Sequence, residues 1–198
     1  MKRWTLVFFF SLMLLVALPC ERIDAQPQDP LRSTLDLLKT KLETYLSYSL
    51  SEGQGGEVGT SKFEAVSFTN CRIAWKSSSE VTQDNNNIPP ALRNLRIVNN
   101  TSVDLSWIDP DKTRIYTIKE MVKRNLPRAL VLELKTRAGS PGFKKQLETT
   151  AGGRATRNAL EEKSYGFFFN TNDQAIAEEV SKAFTEAINI CRARINRR

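Results

Sequence analysis

The chain contains no histidine among its 198 residues. Histidine is the commonest general base near neutral pH and the commonest protein ligand of transition metals. Its absence excludes the Ser–His–Asp and Cys–His triads of most hydrolases. The sequence also lacks a GxxxxGKS or GxxxxGKT phosphate-binding loop, and no two carboxylates are spaced for shared acid–base work. We therefore predict that the protein is not an enzyme and that it carries no metal and no cofactor.

Cysteine is scarce, with three in the chain. Cys20 lies near the N-terminus, which leaves Cys71 and Cys191 for the folded part. Two thiols without histidine cannot complete a four-ligand zinc site. In an oxidising compartment, such a pair indicates one disulfide, and the alternative is two buried free thiols. A disulfide requires Cα atoms within about 7 Å, which a strand packed closely under the last helix allows.

Long apolar runs are also lacking, apart from Trp4–Leu18. This run follows two basic residues and is shorter than the roughly 20 residues of a membrane span. We predict a signal peptide over residues 1–25 with cleavage after Ala25, hence a secreted or periplasmic protein without a transmembrane span in the mature chain. The alternatives are a lipoprotein anchored at Cys20, whose preceding proline does not suit lipidation, and a retained anchor.

Residues 26–51 contain a predicted amphipathic helix, with Asp29 as its cap and Pro30 in its first position. The helix either packs on its own domain or lets the chain self-associate. Residues 52–61 are rich in glycine and predict a flexible linker before a domain over residues 62–198. The apolar stripe of the helix consists of Leu31, Leu35, Leu38, Leu42 and Leu46, and the first four are the candidate self-association residues.

From residue 62 the apolar period changes to two, which predicts strands. A change of phase near Thr69 and Asn70 indicates a turn or bulge. A final amphipathic helix follows a cap at Asn172 or Asp173, with an inner stripe that ends at Cys191. The predicted strand regions are 62–77, 94–98, 101–108, 113–122, 128–136 and 164–171, and the predicted loops are 77–90 and 137–163.

These elements predict an α+β fold: an N-terminal helix, a bent antiparallel sheet or partly open barrel of about five to seven strands, and a long C-terminal helix packed on it. The stretches VDLSWIDPDKTRI and FFFNTNDQAIAEEVSKAFTEAINIC carry a resemblance over about residues 62–195. In element order the chain resembles pleckstrin-homology-like (PH-like) domains, including uncharacterised bacterial ones. The resemblance implies a binding or scaffolding fold, and a fold does not fix function.

The chain is moderately basic, with a formal net charge of +7. Within residues 137–163, we predict an anion-binding loop in which backbone amides of AGGRATR form a small nest. The alternative is a solvated basic loop. The candidate anion-binding residues are Lys144, Lys145, Arg154 and Arg157.

Other patterns favour structural roles. The spacing of Asp104, Asp109 and Asp111 does not fit an EF-hand and predicts Asx turns. Trp75 and Trp107 are predicted core residues. The basic residues are not interleaved with exposed aromatic residues, so we expect no nucleic acid partner.

Two functional hypotheses are favoured over a third, an enzyme that relies on carboxylates or a lysine, because the sequence nominates no pair of facing carboxylates. The first is a secreted or periplasmic, non-enzymatic module that binds an anionic lipid or a partner protein. The alternative is a structural or assembly protein of the cell envelope that self-associates through its N-terminal helix.

Overall fold

The computed structural model describes residues 29–50, 57–83, 89, 93–119 and 129–197. The predicted signal peptide lies outside these residues. Within them, the fold is α+β, as predicted: nine antiparallel strands form two open sheets, and two helices pack against them. The helices are α1 (Pro30–Tyr45) and α2 (Gln174–Ile195). The strands are β1 (Tyr48–Leu50), β2 (Glu57–Thr69), β3 (Arg72–Gln83), β4 (Asn94–Asp104), β5 (Arg114–Thr117), β6 (Leu130–Lys135), β7 (Phe143–Ala151), β8 (Arg154–Glu162) and β9 (Ser164–Phe168).

The larger sheet has six strands in the order β1-β2-β3-β4-β7-β8. Strand β2 turns into β3 at Asn70, whose φ of 52° lies in the left-handed region that asparagine tolerates. This confirms the turn predicted from the change of phase. A register shift between Ala65 and Ser67 marks a bulge in β2, and bulges bend a strand.

The smaller sheet has three strands in the order β5-β6-β9. Its central strand, β6, is almost wholly buried and carries alternating leucines. Helix α2 follows β9 and packs on β6, which confirms that the C-terminal helix lies on a sheet. The structure contains no helix, among the described residues, that combines the length and apolar character of a membrane span.

Both helices use the predicted caps and bury the predicted stripes. Asp29 accepts a hydrogen bond from the backbone N–H of Leu31, and Asp173 accepts one from Ala175. Helix α1 lies against α2 and β2. The stripe of α1 that is buried in this packing consists of Leu31, Leu35, Leu38, Leu42 and Leu46. The fully or nearly fully buried stripe of α2 is Ala177, Val180, Ala183, Phe184, Ala187, Ile188 and Cys191.

Aromatic side chains fill the space between the sheets and α2. Trp75 is buried, as predicted, and its ring contacts those of Phe143 and Phe167 at centroid distances of 6.5 and 5.3 Å. Phe184 of α2 stacks on Phe167 at 5.5 Å. Aromatic pairs at these distances stabilise a core beyond the area that they bury. Trp107 is partly buried against the same core.

A disulfide joins Cys71 to Cys191, with a Cα–Cα distance of 5.5 Å. Cys71 lies in the turn between β2 and β3, and Cys191 lies on the buried stripe of α2. The covalent bond therefore ties the last helix to the first hairpin of the large sheet. The structure therefore contains the predicted pairing.

The prediction of a surface loop over residues 137–163 is wrong, because most of this segment forms the β7–β8 hairpin. The turn residues Gly152 and Gly153 have φ of 55° and 77°, the left-handed conformation that tight hairpin turns require. Strand β8 is exposed along nearly its whole length, so it has no alternating apolar residues to reveal it. The hairpin raises the number of strands above the predicted range.

The predicted polar loop over residues 77–90 is also wrong in its first part. Strand β3 continues to Gln83 because β2 and β4 pair with it on both sides. The prediction of a flexible linker over residues 52–61 is wrong for its second half, because β2 begins at Glu57. Residues 51–56 lie outside the described part of the chain.

Strand β4 passes without interruption through the predicted break at Asn99 and Asn100. The segment Leu105–Trp107 is a 3-10 turn rather than the end of a strand. Its cap is Asp104, which accepts hydrogen bonds from the backbone N–H and the hydroxyl of Ser106. Asp109 likewise accepts from the N–H of Asp111 at 3.3 Å, so the predicted Asx turns are present.

Candidate binding cleft

A cleft of about 180 Å³ opens where the two sheets separate. The turn after α1 and strand β1 form its lip, β2 and β3 form its floor, and β9 forms the opposite wall. Its lining residues are Leu46, Tyr48, Ser61, Phe63, Ser77, Ser79, Tyr165, Gly166, Phe167 and Phe168. The cleft is thus made from segments that are distant in sequence, and only tertiary packing brings them together.

The floor of the cleft is polar because the inner face of β3 changes character along the strand. Ile73 and Trp75 point into the core, and Ser77 and Ser79 follow on the same face, since alternate residues of a strand share one face. Ser79 lies opposite Ser61 of β2, and the Ser79 hydroxyl donates to that of Ser61 at 3.3 Å. Hydroxyl groups therefore replace the aromatic core where the face reaches solvent.

The wall is aromatic. Phe167 lies in the core, whereas the neighbouring Phe168 is 44% exposed. The ring of Tyr165 lies 4.9 Å from those of Trp75 and Phe167. A cleft lined by both aromatic residues and hydroxyl groups offers apolar contact and hydrogen bonding to a ligand.

Tyr165 links the wall to the core by hydrogen bonds. The indole N–H of Trp75 donates to the Tyr165 oxygen at 3.1 Å. Burial raises the pKa of Tyr165, and hydrogen bonds with Trp75, Ser77 and Thr101 oppose this rise without cancelling it. Thr101 in turn donates to the side-chain oxygen of Asn99 at 3.2 Å. The phenol is therefore held neutral and fixed in orientation at the back of the cleft.

The lip is held by the segment that leads into α2. The side-chain amide of Asn170 donates to the carbonyl oxygens of Thr44 and Ser47, and its backbone N–H donates to that of Tyr45 at 2.7 Å. The hydroxyl of Ser47 accepts from the N–H of Phe63 at 3.0 Å. These bonds fix the lip relative to both sheets, so the cleft is preformed.

Of the four candidate anion-binding residues, Lys145 alone lies beside the cleft wall. Its ammonium group is 4.9 Å from the centroid of the Tyr165 ring and forms an ion pair with Glu162. The Lys145 side chain is only 15% exposed. A ligand would therefore meet a lysine whose charge is already balanced by a carboxylate.

The structure does not gather the four basic residues into one site. In the β7–β8 register, Lys145 and Arg154 share the inner face with Phe143, whereas Lys144 and Arg157 lie on the outer face. Arg157 pairs with Glu148 at 2.8 Å, and Lys144 lies opposite Glu161. The cations are therefore divided between two faces, and two of them are paired with glutamates.

The candidate self-association residues Leu31, Leu35, Leu38 and Leu42 lie in the core, at most 2% exposed. Other residues of the same chain cover them, which agrees with the interpretation that the helix packs on its own domain. The cleft residues Ser61, Ser77, Ser79 and Phe168 were not predicted from sequence. The sequence did contain one indication of them. If β3 is extended without a break, Ser77 and Ser79 fall on the same face as Ile73 and Trp75, because alternate residues of a strand share a face.

No group of three cysteine, aspartate or glutamate side chains is placed to hold a metal ion in the part of the chain that the structure describes. Comparison with protein-family models, with curated proteins and with solved structures found no match. The functional argument therefore depends on the cleft and on the surfaces of this chain.

Proposed function

We propose that this protein is a secreted or periplasmic, non-enzymatic binding module that takes a side chain of a partner protein into the cleft between its sheets. One observation carries the proposal: aromatic residues of β9 and hydroxyl groups of β2 and β3 line the same preformed cleft. At about 180 Å³ the cleft is smaller than the roughly 300 Å³ or more of small-molecule sites. A cleft of this size can hold one side chain of a partner together with its backbone amide. In protein interfaces, a few such buried anchor residues contribute most of the binding free energy.

The distribution of basic residues favours a protein over an anionic lipid. A headgroup site needs several cations that converge on one point. Here the four candidate cations lie on two faces, and Lys145 and Arg157 are already paired with Glu162 and Glu148. Binding to an anionic lipid is therefore the less favoured alternative, and its observation would contradict the proposal of a protein partner.

The compartment assignment rests on the disulfide. Disulfides persist in oxidising, extracytoplasmic environments, and the Cys71–Cys191 bond fits such a location. We also propose that residues 1–25 are removed as a signal peptide and that the domain has a PH-like architecture. The alternative function, assembly through the N-terminal helix, would require Leu38 and Leu42 to leave the core that buries them.

A crosslinking experiment tests the cleft. A photoreactive phenylalanine analogue replaces Phe168 in the wall, and the protein is expressed and irradiated in the cells that produce it. Ser79→Trp then fills the floor, while Ser78→Trp places the same ring on the opposite face of β3 as a matched control. We expect a discrete protein adduct that S79W abolishes and S78W preserves.

Adducts of equal yield in both variants, or no adduct, would contradict a partner in the cleft. Co-sedimentation with anionic and neutral vesicles at low salt tests the lipid alternative. Binding to anionic vesicles alone, unchanged by S79W, would move the function to a lipid surface away from the cleft.

A further inference from the structure

Strand β8 is an exposed edge. It runs for nine residues, Arg154–Glu162, and eight of them are exposed. Within the described residues it pairs with β7 and with no other strand. The backbone N–H and C=O groups on its outer side are therefore available to a further strand, which is the usual route to pairing between chains.

The charges of β8 are arranged in two halves. Arg154 and Arg157 lie in its first half, and Glu161 and Glu162 lie at its end. If a second copy of β8 runs antiparallel with Asn158 opposite Asn158, each Arg154 faces a Glu162, and each Arg157 lies diagonal to a Glu161 and to the other Arg157. Within one chain Glu162 already pairs with Lys145, Arg157 with Glu148 and Glu161 with Lys163, so the new contacts would extend these ion pairs into networks across the two copies. Opposite charges at such cross-strand positions are stabilising. Charged residues commonly block an edge, but here the same charges complement a second copy.

This register also matches the faces of the two sheets. A two-fold axis perpendicular to the sheet keeps the inner face of one copy continuous with that of the other. On this face Thr156 lies opposite Leu160, which is 47% exposed in the single chain. Pairing would cover both leucines with the methyl groups of the threonines and would use all nine residues of the strand.

We propose that β8 pairs antiparallel with β8 of a second copy, with the two-fold axis at Asn158, so that two six-stranded sheets become one. The partner is a second copy of this chain, identified by the self-complementary charges. Because the axis is perpendicular to the sheet, the inner faces of the two copies, which carry the cleft floors, lie on the same side of the dimer. The inference does not depend on what the clefts bind.

Charge changes at two small residues of β8 test the register. Ala155 would face Glu161 of the other copy, and Ala159 would face Arg157. Ala155→Lys and Ala159→Glu should tighten the dimer, and Ala155→Glu and Ala159→Lys should weaken it. We expect the dissociation constants at each position to differ on the order of tenfold between the two signs, because the symmetric dimer contains each contact twice.

The measurement is sedimentation velocity over a range of concentrations, on protein expressed from its full chain and purified from the periplasm of a bacterial host. Circular dichroism confirms that each variant is folded. The opposite order of signs at Ala155 and Ala159 separates this proposal from an effect of net charge. A monomer at all concentrations, or the same order of signs at both positions, would overturn it.

A cysteine at the axis gives a second test. Asn158→Cys should crosslink to its own copy under mild oxidation, because residues directly opposite in an antiparallel pair have Cα atoms about 4.5 to 5.5 Å apart. Lys182→Cys, which is exposed on α2, is the matched control. Crosslinking of N158C at least tenfold faster than K182C supports the dimer, and equal rates refute it.

Discussion

At the scale of single residues, Tyr165 is a buried phenol whose surroundings favour its neutral form. Its hydroxyl lies where the aromatic core meets the cleft, and it accepts a hydrogen bond from Trp75. Burial raises the pKa of this phenol above its ordinary value. A group whose pKa is raised in the folded protein stabilises the fold below its unfolded pKa and loses that contribution as the pH rises through the folded value.

We therefore predict that Tyr165→Phe flattens the alkaline part of the stability curve. At neutral pH the variant should lose about 1 kcal/mol, because the Trp75 N–H is left without its acceptor. Above pH 10 this difference should shrink, since the wild type alone must keep a buried phenol protonated. Urea unfolding between pH 7 and 11 measures the effect, with the exposed Tyr116→Phe as control; a constant difference across this range would contradict the prediction.

Two glycines of the β7–β8 region are required for different reasons. A Cβ atom on Gly142 would lie 2.4 Å from the backbone oxygen of Glu162, and the paired strand cannot move away without breaking its ladder. A Cβ on Gly153 would meet nothing within 4 Å, but its φ of +77° is strained for other residues.

We predict that Gly142→Ala lowers the free energy of unfolding by about 2 to 3 kcal/mol, as overpacking does. Gly153→Ala should cost about 1 kcal/mol, the penalty of the left-handed conformation. Denaturant unfolding of both variants tests the order. A larger loss for G153A than for G142A would show that the close approach at Gly142 is not what fixes the hairpin base.

At the scale of elements, helix α1 belongs to the core of the domain. Leu38 is 0% exposed, and its neighbour Leu37 is 39% exposed on the outer side of the same turn. An ion pair between Lys41 and Glu179 joins the solvent side of α1 to α2, and the hydrogen bond from Lys41 to Glu179 raises the pKa of this lysine. Exposed pairs of this kind contribute little to stability, so apolar packing holds the helix in place.

Substitution of the two neighbouring leucines separates packing from self-association. Leu38→Ala should lower the free energy of unfolding by about 2 to 5 kcal/mol through the cavity that it leaves. Leu37→Ala should change it by less than about 0.5 kcal/mol. Thermal and urea unfolding give both values. If L37A rather than L38A altered the oligomeric state measured by sedimentation, helix α1 would have an interface on its exposed side.

At the scale of the whole molecule, the disulfide joins two parts that are 120 residues apart. It closes a loop that contains strands β3 to β9, and it holds α2 against the turn between β2 and β3. Leu105 at the end of β4 donates its N–H to the carbonyl oxygen of Cys71 at 2.7 Å, so the bridge lies in a hydrogen-bonded corner of the core.

We predict that Cys71→Ala/Cys191→Ala reduces the free energy of unfolding by about 3 to 5 kcal/mol, the loss of loop-closure entropy for a loop of this length. Reductant should lower the unfolding midpoint of the wild type and leave that of the double variant unchanged. Intact-mass measurement after alkylation, with and without reductant, counts the free thiols of the purified protein. Two thiols labelled before reduction would show that the bond does not form.

The sequence was sufficient for elements whose pattern is local. Asp29 and Asp173 cap their helices as expected, and the apolar stripes of both helices face the core. The apolar periodicity of an amphipathic helix indicates which side is buried. The buried side can therefore be recognised without knowing which element packs against it. The last stripe also placed Cys191 facing the core layer of Cys71, which made the disulfide predictable.

Only the tertiary structure decided the long polar strands, the cleft and the division of the basic residues. The second half of β3 and all of β8 contain few apolar residues, and hydrogen bonds from neighbouring strands hold them extended. Those bonds come from residues far away in sequence and leave no local pattern. The strand pairing then sets which side chains share a face, so the serines meet the aromatic residues of β9 at the cleft and the four cations separate.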